Sequence, residues 1–114
     1  MTALPPNSAL RAARVPVELT EVPADQSVAG HPQTGSVELG TLGAVEVGIW
    51  EMTEGIMTDV ESDEIFVVLC GRATVEFADG AETLTLAAGD VVRLAAGART
   101  TWTVTERLRK VYLT

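Results

Sequence analysis

The stretch that decides the fold lies between residues 48 and 112, and it reads GIWEMTEG (48–55), DEIFVVLCGRATVEFADG (63–80) and AAGDVVRLAAGARTTWTVTERLRKVY (87–112). Apolar residues alternate with polar ones in much of it, as they also do from Val15 to Leu19 and from Val45 to Ile49. A period of two is typical of strands with one buried face. Glycine-containing turns follow at short intervals, and no segment sustains a helical period. The sequence therefore predicts an all-β sandwich or barrel.

The pair Asp79-Gly80 stands between two alternating runs, ATVEFA (73–78) and AETLTL (81–86). Such a pair is typical of a two-residue type I′ hairpin turn, in which both central residues have positive φ. We therefore expect an antiparallel hairpin with Val75 and Phe77 on one face. Gly71 and Gly89 are expected at strand ends, because glycine permits a bend or a tight turn.

The chain length of 114 residues fits one domain with one hydrophobic core. We expect residues 15–114 to form this domain. Residues 1–14 include Pro5, Pro6 and a short ALRAAR run that is too brief for a stable helix by itself. They are expected to be a flexible N-terminal arm.

The net charge of −8 argues against a nucleic-acid partner, which requires clustered Lys and Arg. No apolar run reaches the roughly 18 residues that span a bilayer, and the N-terminus has no signal-peptide core, so no membrane partner is expected. The single cysteine cannot form an internal disulfide. Together these features predict a cytoplasmic protein. Eleven acidic and no basic residues lie from Glu18 to Glu64, which indicates either a solubilising surface or an acidic rim for cations.

The segment from Gly48 to Tyr112 resembles the small single-domain cupins, in particular relatives of ureidoglycine aminohydrolase and of ethanolamine-utilisation cupins. The resemblance rests on an ordered set of features: the GIWE run, Glu64 with Gly71 seven residues later, Gly89-Asp90, Gly97, Trp102 in TTWTV and Lys110 in RKVY. It implies a cupin-like jelly-roll β-barrel with a ligand pocket inside. It also implies a homodimer, since such cupins are commonly dimeric.

The wider cupin pattern binds a metal through two histidines, a glutamate and a third histidine, and only the glutamate, Glu64, is present here. The matching positions hold other residues: Met57 with Asp59, or Thr58 with Val60, and Thr100. The only histidine, His31, lies well upstream. A tight transition-metal site normally needs at least three good donors. We therefore expect no metal and no cofactor.

An acidic run, Asp59, Glu61, Asp63 and Glu64, offers oxygen donors that hard cations such as Ca²⁺ or Mg²⁺ prefer. It lacks the glycine and the closing glutamate of an EF-hand loop. A solvated acidic turn is the favoured interpretation, and weak binding of a hard cation stays open.

The candidate ligand site follows from the resemblance together with strand alternation. If Glu64 points into the barrel as the matching cupin position does, Phe66 and Val68 point inward as well. The same alternation places Thr100, Trp102 and Val104 on one inner face. The resemblance adds Lys110 as the partner of the carboxylate. The candidate ligand-binding residues are Glu64, Lys110, Trp102, Trp50, Tyr112 and Thr100.

Three functions are compatible with these residues. The first is a domain that binds a small polar or carboxylate-bearing molecule without a transition metal. The second is a metal-independent enzyme that uses Glu64 and Lys110 as an acid/base pair. The third is a dimeric interaction module with a vestigial pocket, in which the ion pair and the tryptophans are only packed. Substrate and pathway cannot be derived, because cupin barrels serve unrelated functions.

Overall fold

The computed structural model describes residues 3–114, and nearly all of its regular structure is β. Its nine strands are β1 (Thr20–Glu21), β2 (Ser27–Ala29), β3 (Gln33–Leu42), β4 (Val45–Met52), β5 (Gly55–Val60), β6 (Glu64–Phe77), β7 (Leu84–Leu86), β8 (Val91–Leu94) and β9 (Arg99–Leu113). The only helical element within residues 3–114 is a 3-10 turn at Ala12–Arg14. The predicted all-β, cupin-like fold is confirmed. Within the same residues no helix is long and apolar enough to cross a membrane.

The strands form one curled antiparallel sheet in which β9 holds the central place. Neighbouring strands follow the order β1-β3-β4-β9-β5-β2, and β6 pairs with β7, β8 and β9. The first half of β9 pairs with β5, its second half pairs with β4, and β6 runs along most of its length. Because β9 touches both halves of the sheet, its inward side chains meet residues from several strands.

The hydrophobic core fills the concave side of the sheet, as the alternation predicts. Inward residues of β6 and β9 are almost fully buried, and they include Phe66, Val68, Trp102, Val104 and Leu108. Burying a large apolar side chain stabilises the fold by about 1.5–3 kcal/mol. The core therefore fixes which residues of β9 face inward, and Lys110 and Tyr112 follow the same alternation.

Strand β6 bends in the middle, and Gly71 lies at the bend rather than at the strand end that the sequence predicted. The pairing of β6 with β9 shifts register on both sides of Gly71. Gly71 has φ of +96°, and a Cβ atom there would collide with the backbone of Arg107. Glycine permits both the positive φ and the close approach of β9.

The hairpin after β6 is present, but its turn is not the expected type I′. Residues of β7 pair with β6 only up to Val75, which pairs with Leu84. Gly80 has φ of +83°, whereas Asp79 has no positive φ. The amide of Gly80 donates to the carbonyl of Phe77 at 3.1 Å. A type I′ turn needs positive φ at both central residues. The side chain of Asp79 forms a local bond instead, since its Oδ1 accepts a hydrogen bond from the amide of Ala81 at 2.9 Å.

The segment before β1 packs on the outer face of the sheet. Arg109 donates to the carbonyls of Ala12 and Val15 at 2.8 and 2.7 Å. Ile49 is fully buried although it is not part of the inner core cluster. Residues 1 and 2 of the expected flexible arm lie outside the described residues, and the flexibility of the remainder stays a prediction.

Candidate functional site

A cavity of about 150 Å³ lies on the inner side of the sheet, and five of the six candidate residues line it. The cavity is lined by Ser36, Trp50, Asp59, Glu61, Glu64, Trp102, Lys110 and Tyr112. The predicted convergence of Glu64, Trp102 and Lys110 on one cavity is confirmed, and Trp50 and Tyr112 join them. That these residues bind a ligand stays a prediction.

Lys110 occupies the aromatic end of the cavity. The residue is 4% exposed, and its Nζ donates to Oε2 of Glu64 at 2.7 Å. The same nitrogen lies 4.6, 4.1 and 5.0 Å from the ring centroids of Trp50, Phe66 and Trp102. An ammonium group is attracted to such ring faces. One carboxylate and three rings therefore enclose this cation.

Burial has the largest effect on the pKa of Lys110. Removal of water disfavours the charged form and lowers the pKa of Lys110 below its usual value, although the carboxylates of Glu64, Glu61 and Asp59 act in the opposite direction. The amine is therefore easier to deprotonate than a lysine on the surface.

Asp59 and Glu61, which were expected in a solvated turn, belong to the cavity wall. Glu61 accepts hydrogen bonds from Thr100 Oγ1 at 2.6 Å and from Trp102 Nε1 at 2.9 Å, both through its Oε2. Burial, followed by repulsion from Glu61, raises the pKa of Asp59. The expectation of a solvated acidic turn is wrong for these two residues, whereas Asp63 is exposed. Strand alternation in β5 predicts an inward Asp59, because Asp59 lies on the same face of the strand as the core residue Met57.

Thr100 is the one candidate residue that does not line this cavity. It is 3% exposed, and its hydroxyl group donates to Glu61 instead. Its role in the structure is to orient a cavity carboxylate. The inward orientation expected from alternation is correct, but contact with a ligand in this cavity would be indirect.

Tyr112 reaches the cavity because β4 has a glycine opposite it. Gly48 pairs with Tyr112, and a Cβ atom at Gly48 would collide with the tyrosine ring. The phenol donates to Oε2 of Glu46 at 2.7 Å. Burial and this hydrogen bond raise the pKa of Tyr112 above its usual value, so the phenol stays protonated and its oxygen retains accepting capacity.

The residues of the cavity do not fit the metal site of the wider cupin pattern. Within residues 3–114 no group of three or more His, Cys, Asp or Glu side chains is placed to hold a metal ion. The ammonium group of Lys110 is the cation next to Glu64. His31 lies away from this cavity, in a turn where its φ is +49°. The open possibility of a hard cation at the acidic turn gains no support from this geometry.

Comparison with known proteins identifies the family. The sequence profile of the EutQ-like cupin domain matches residues 39–112. The chain belongs to this family. The matched range contains every cavity residue except Ser36. None of the curated protein sequences matches the chain significantly.

Solved structures similar to this EutQ-like cupin support the same fold. An ethanolamine utilization protein Q from Salmonella typhimurium shares 25% identity with a TM-score of 0.61, over 71% of this chain and 68% of that one. A protein of unknown function from Rhizobium leguminosarum shares 27% identity with a TM-score of 0.64, over 71% and 79% of the two chains. A cupin superfamily protein from Desulfitobacterium hafniense shares 19% identity with a TM-score of 0.65, over 99% and 94%. This last similarity concerns the fold alone.

Proposed function

We propose that this EutQ-like cupin binds a small polar molecule in its inner cavity without a transition metal. The observation that carries the proposal is the buried ion pair of Lys110 and Glu64, which lies beside a cavity walled by Trp50 and Trp102. Ligand sites typically combine such apolar walls with a few placed polar groups. A cavity of about 150 Å³ suits a molecule of only a few heavy atoms.

The charged side chains that line the cavity favour one chemical class of ligand. Three carboxylates, on Asp59, Glu61 and Glu64, face one ammonium group, that of Lys110. A ligand with its own carboxylate would add a like charge, which costs free energy in a poorly hydrated site. Hydroxyl or amino groups would instead donate to the carboxylate oxygens. Of the two expected classes, this favours a small polar molecule that carries hydrogen-bond donors over one that carries a carboxylate.

A thermal-shift screen with small polyols, amines and acids tests this proposal. A compound that binds the native state raises the free energy of unfolding with the logarithm of its concentration over its Kd, and so raises the melting temperature. We expect polyols or amino alcohols to raise the melting temperature and small acids to have little effect. The shift should be lost in Glu64→Gln, while Glu106→Gln, at an exposed ion pair with Arg72, is the matched control. Equal shifts in both variants would place the binding site elsewhere.

We also propose that the chain forms a homodimer. Its support is an exposed apolar strip on the outer face, where Ile65 is 45% and Val91 is 68% exposed on the paired strands β6 and β8. Contiguous exposed apolar surface is typical of interaction sites. Light scattering at micromolar concentration should give the mass of two chains, and a stable monomer would contradict the proposal.

A further inference from the structure

The only lysine in the sequence, Lys110, lies in the inner cavity. The sequence contains eight Lys and Arg residues, and only Lys110 is a lysine. Lysine is normally among the residues that are almost never fully buried. Here it is 4% exposed and lines the cavity, while arginines provide all the other side-chain cations.

Arginine would serve better than lysine if the position needed only a permanent cation. A guanidinium pairs with a carboxylate through two parallel hydrogen bonds and stays protonated in proteins. Lysine differs in one chemical property, because its amine becomes a nucleophile when it loses its proton. Nζ of Lys110 has a single hydrogen-bond acceptor among the described residues, Glu64, and otherwise faces aromatic rings.

We propose that Lys110 is a nucleophile that forms a reversible imine with a small uncharged aldehyde that carries a hydroxyl group. The inference rests on the proposed function, since the cavity must admit a small molecule. Lys110 is only 4% exposed and three aromatic rings surround its Nζ, which limits access of the water that otherwise favours hydrolysis of an imine. The hydroxyl group of the ligand would donate to a carboxylate of Asp59 or Glu61.

The reaction balances with the groups present. Lys110 first transfers one proton to Glu64, whose Oε2 lies 2.7 Å from Nζ. The nitrogen lone pair then attacks the carbonyl carbon, the π pair of the carbonyl moves to its oxygen, and a proton passes from the attacking nitrogen to that oxygen to give a carbinolamine. Glu64 returns its proton to the hydroxyl group, which leaves as water while the nitrogen lone pair forms the C=N bond of the protonated imine. Addition of water reverses the step. No oxidant or reductant is needed.

The titratable groups around Lys110 come from several strands. Glu64 starts β6, Asp59 lies on β5, Glu61 follows β5, and Tyr112 lies beyond Lys110 on β9. The carboxylates favour the ammonium form, but burial outweighs them and lowers the pKa of Lys110. A neutral amine is therefore more accessible at neutral pH than in an unfolded chain.

Reductive trapping tests the imine directly on the wild-type protein. The protein is incubated with glycolaldehyde and sodium cyanoborohydride near pH 7, and the modified residues are located by peptide mass mapping. With one lysine in the chain, the only other amine is the N-terminal group, which mapping separates. We expect Lys110 to be modified about ten times faster in the folded protein than in urea, where its pKa returns to the ordinary value of about 10.4. Equal or slower modification in the folded protein would overturn the inference.

Two controls separate the cavity reaction from ordinary amine chemistry. Glyoxylate has the same carbon skeleton as glycolaldehyde but carries a carboxylate, so we expect it to modify Lys110 more slowly than glycolaldehyde does. Lys110→Arg keeps the charge and should show modification only at the N-terminus. If both aldehydes react with Lys110 at the same rate, recognition by the cavity is refuted. If no adduct forms while polyols still raise the melting temperature, only the imine is refuted and the proposed function stands.

Discussion

Arg109 and Lys110 are neighbours on β9, and each forms a buried ion pair, but the two pairs lie on opposite sides of the sheet. Trp50 pairs with Lys110, and the next rung pairs Glu51 with Arg109. Strand alternation turns the first rung to the inner cavity and the second to the outer face. One residue along each strand thus separates a candidate site from a structural cluster.

The outer cluster joins one carboxylate to two guanidinium groups. Glu51 is 4% exposed and accepts hydrogen bonds from both Arg107 and Arg109. Nη1 of Arg109 also donates to the carbonyls of Ala12 and Val15. Burial opposes ionisation of Glu51, yet the two guanidinium groups hold its pKa below the usual value. This network ties the N-terminal segment to the sheet.

The inner cluster differs in the sign of its charge and in the space beside it. Its three carboxylates outnumber its one cation, whereas two guanidinium groups share one carboxylate in the outer cluster. Within residues 3–114 every buried side-chain polar atom has a hydrogen-bond partner, so neither cluster is left unpaired. An open cavity lies beside the inner cluster, and charged groups in a cavity are more typical of a binding site than of a core.

The largest expected effect is the loss of stability on breaking the outer cluster. Glu51→Gln leaves Arg109 buried without its counter-charge, and we expect the free energy of unfolding to fall by roughly 3 kcal/mol, at the low end for a buried pair because Arg107 is half exposed. Urea denaturation provides the measurement. Glu106→Gln at the exposed pair with Arg72 should change stability by less than about 1 kcal/mol. Similar losses in both variants would contradict a structural role for the outer cluster.

A smaller effect is expected in binding when the inner pair is altered. Glu64→Gln removes a charge-assisted hydrogen bond, so a ligand found in the screen should bind about 1.5–3 kcal/mol more weakly. Calorimetric titration gives the affinity, and circular dichroism checks that the fold is kept. The same affinity in Glu64→Gln and in wild type would remove Glu64 from the site.

The pH dependence of stability distinguishes a titrating lysine from a permanent cation. The folded pKa of Lys110 is lowered, so between that pKa and the unfolded value of about 10.4 the unfolded chain binds more protons. Stability therefore rises with pH in this window. Relative to Lys110→Met, the wild type should gain about 1.4 kcal/mol for each unit by which the pKa is lowered. Urea denaturation at pH 7 and at pH 9.5 measures the part of this gain that falls between these two pH values, and a constant difference would contradict a folded pKa within that range.

The smallest expected effect is that of a chelator. Because Lys110 stands next to Glu64 and no group of three His, Cys, Asp or Glu side chains in residues 3–114 is placed to hold a metal ion, EDTA should leave the melting temperature unchanged. Elemental analysis of the purified protein should find no stoichiometric Zn, Fe, Ni or Cu. About one such metal per chain would refute the metal-independent proposal.

The sequence by itself determined most of the strands and their inner faces, because burial of alternate apolar residues leaves each strand one favourable orientation. The alternation from Val15 to Leu19 is an exception, since these residues lie outside the strands. Phe66 and Trp102 therefore face inward as predicted, and together with the resemblance they located Glu64 and Lys110. The sequence did not determine the turn type, since only Gly80 of the Asp79-Gly80 pair has a positive φ and the side chain of Asp79 bonds to the amide of Ala81.

Only the tertiary structure decided which polar groups share the cavity. Thr100 turned out to orient Glu61, and Asp59 and Glu61 proved to be cavity residues rather than a solvated turn. Partners far apart in sequence set these outcomes, because a carboxylate becomes part of a site only when strands from elsewhere remove its water and supply its donors. Alternation says which way a side chain points, whereas pairing between distant strands decides what it meets.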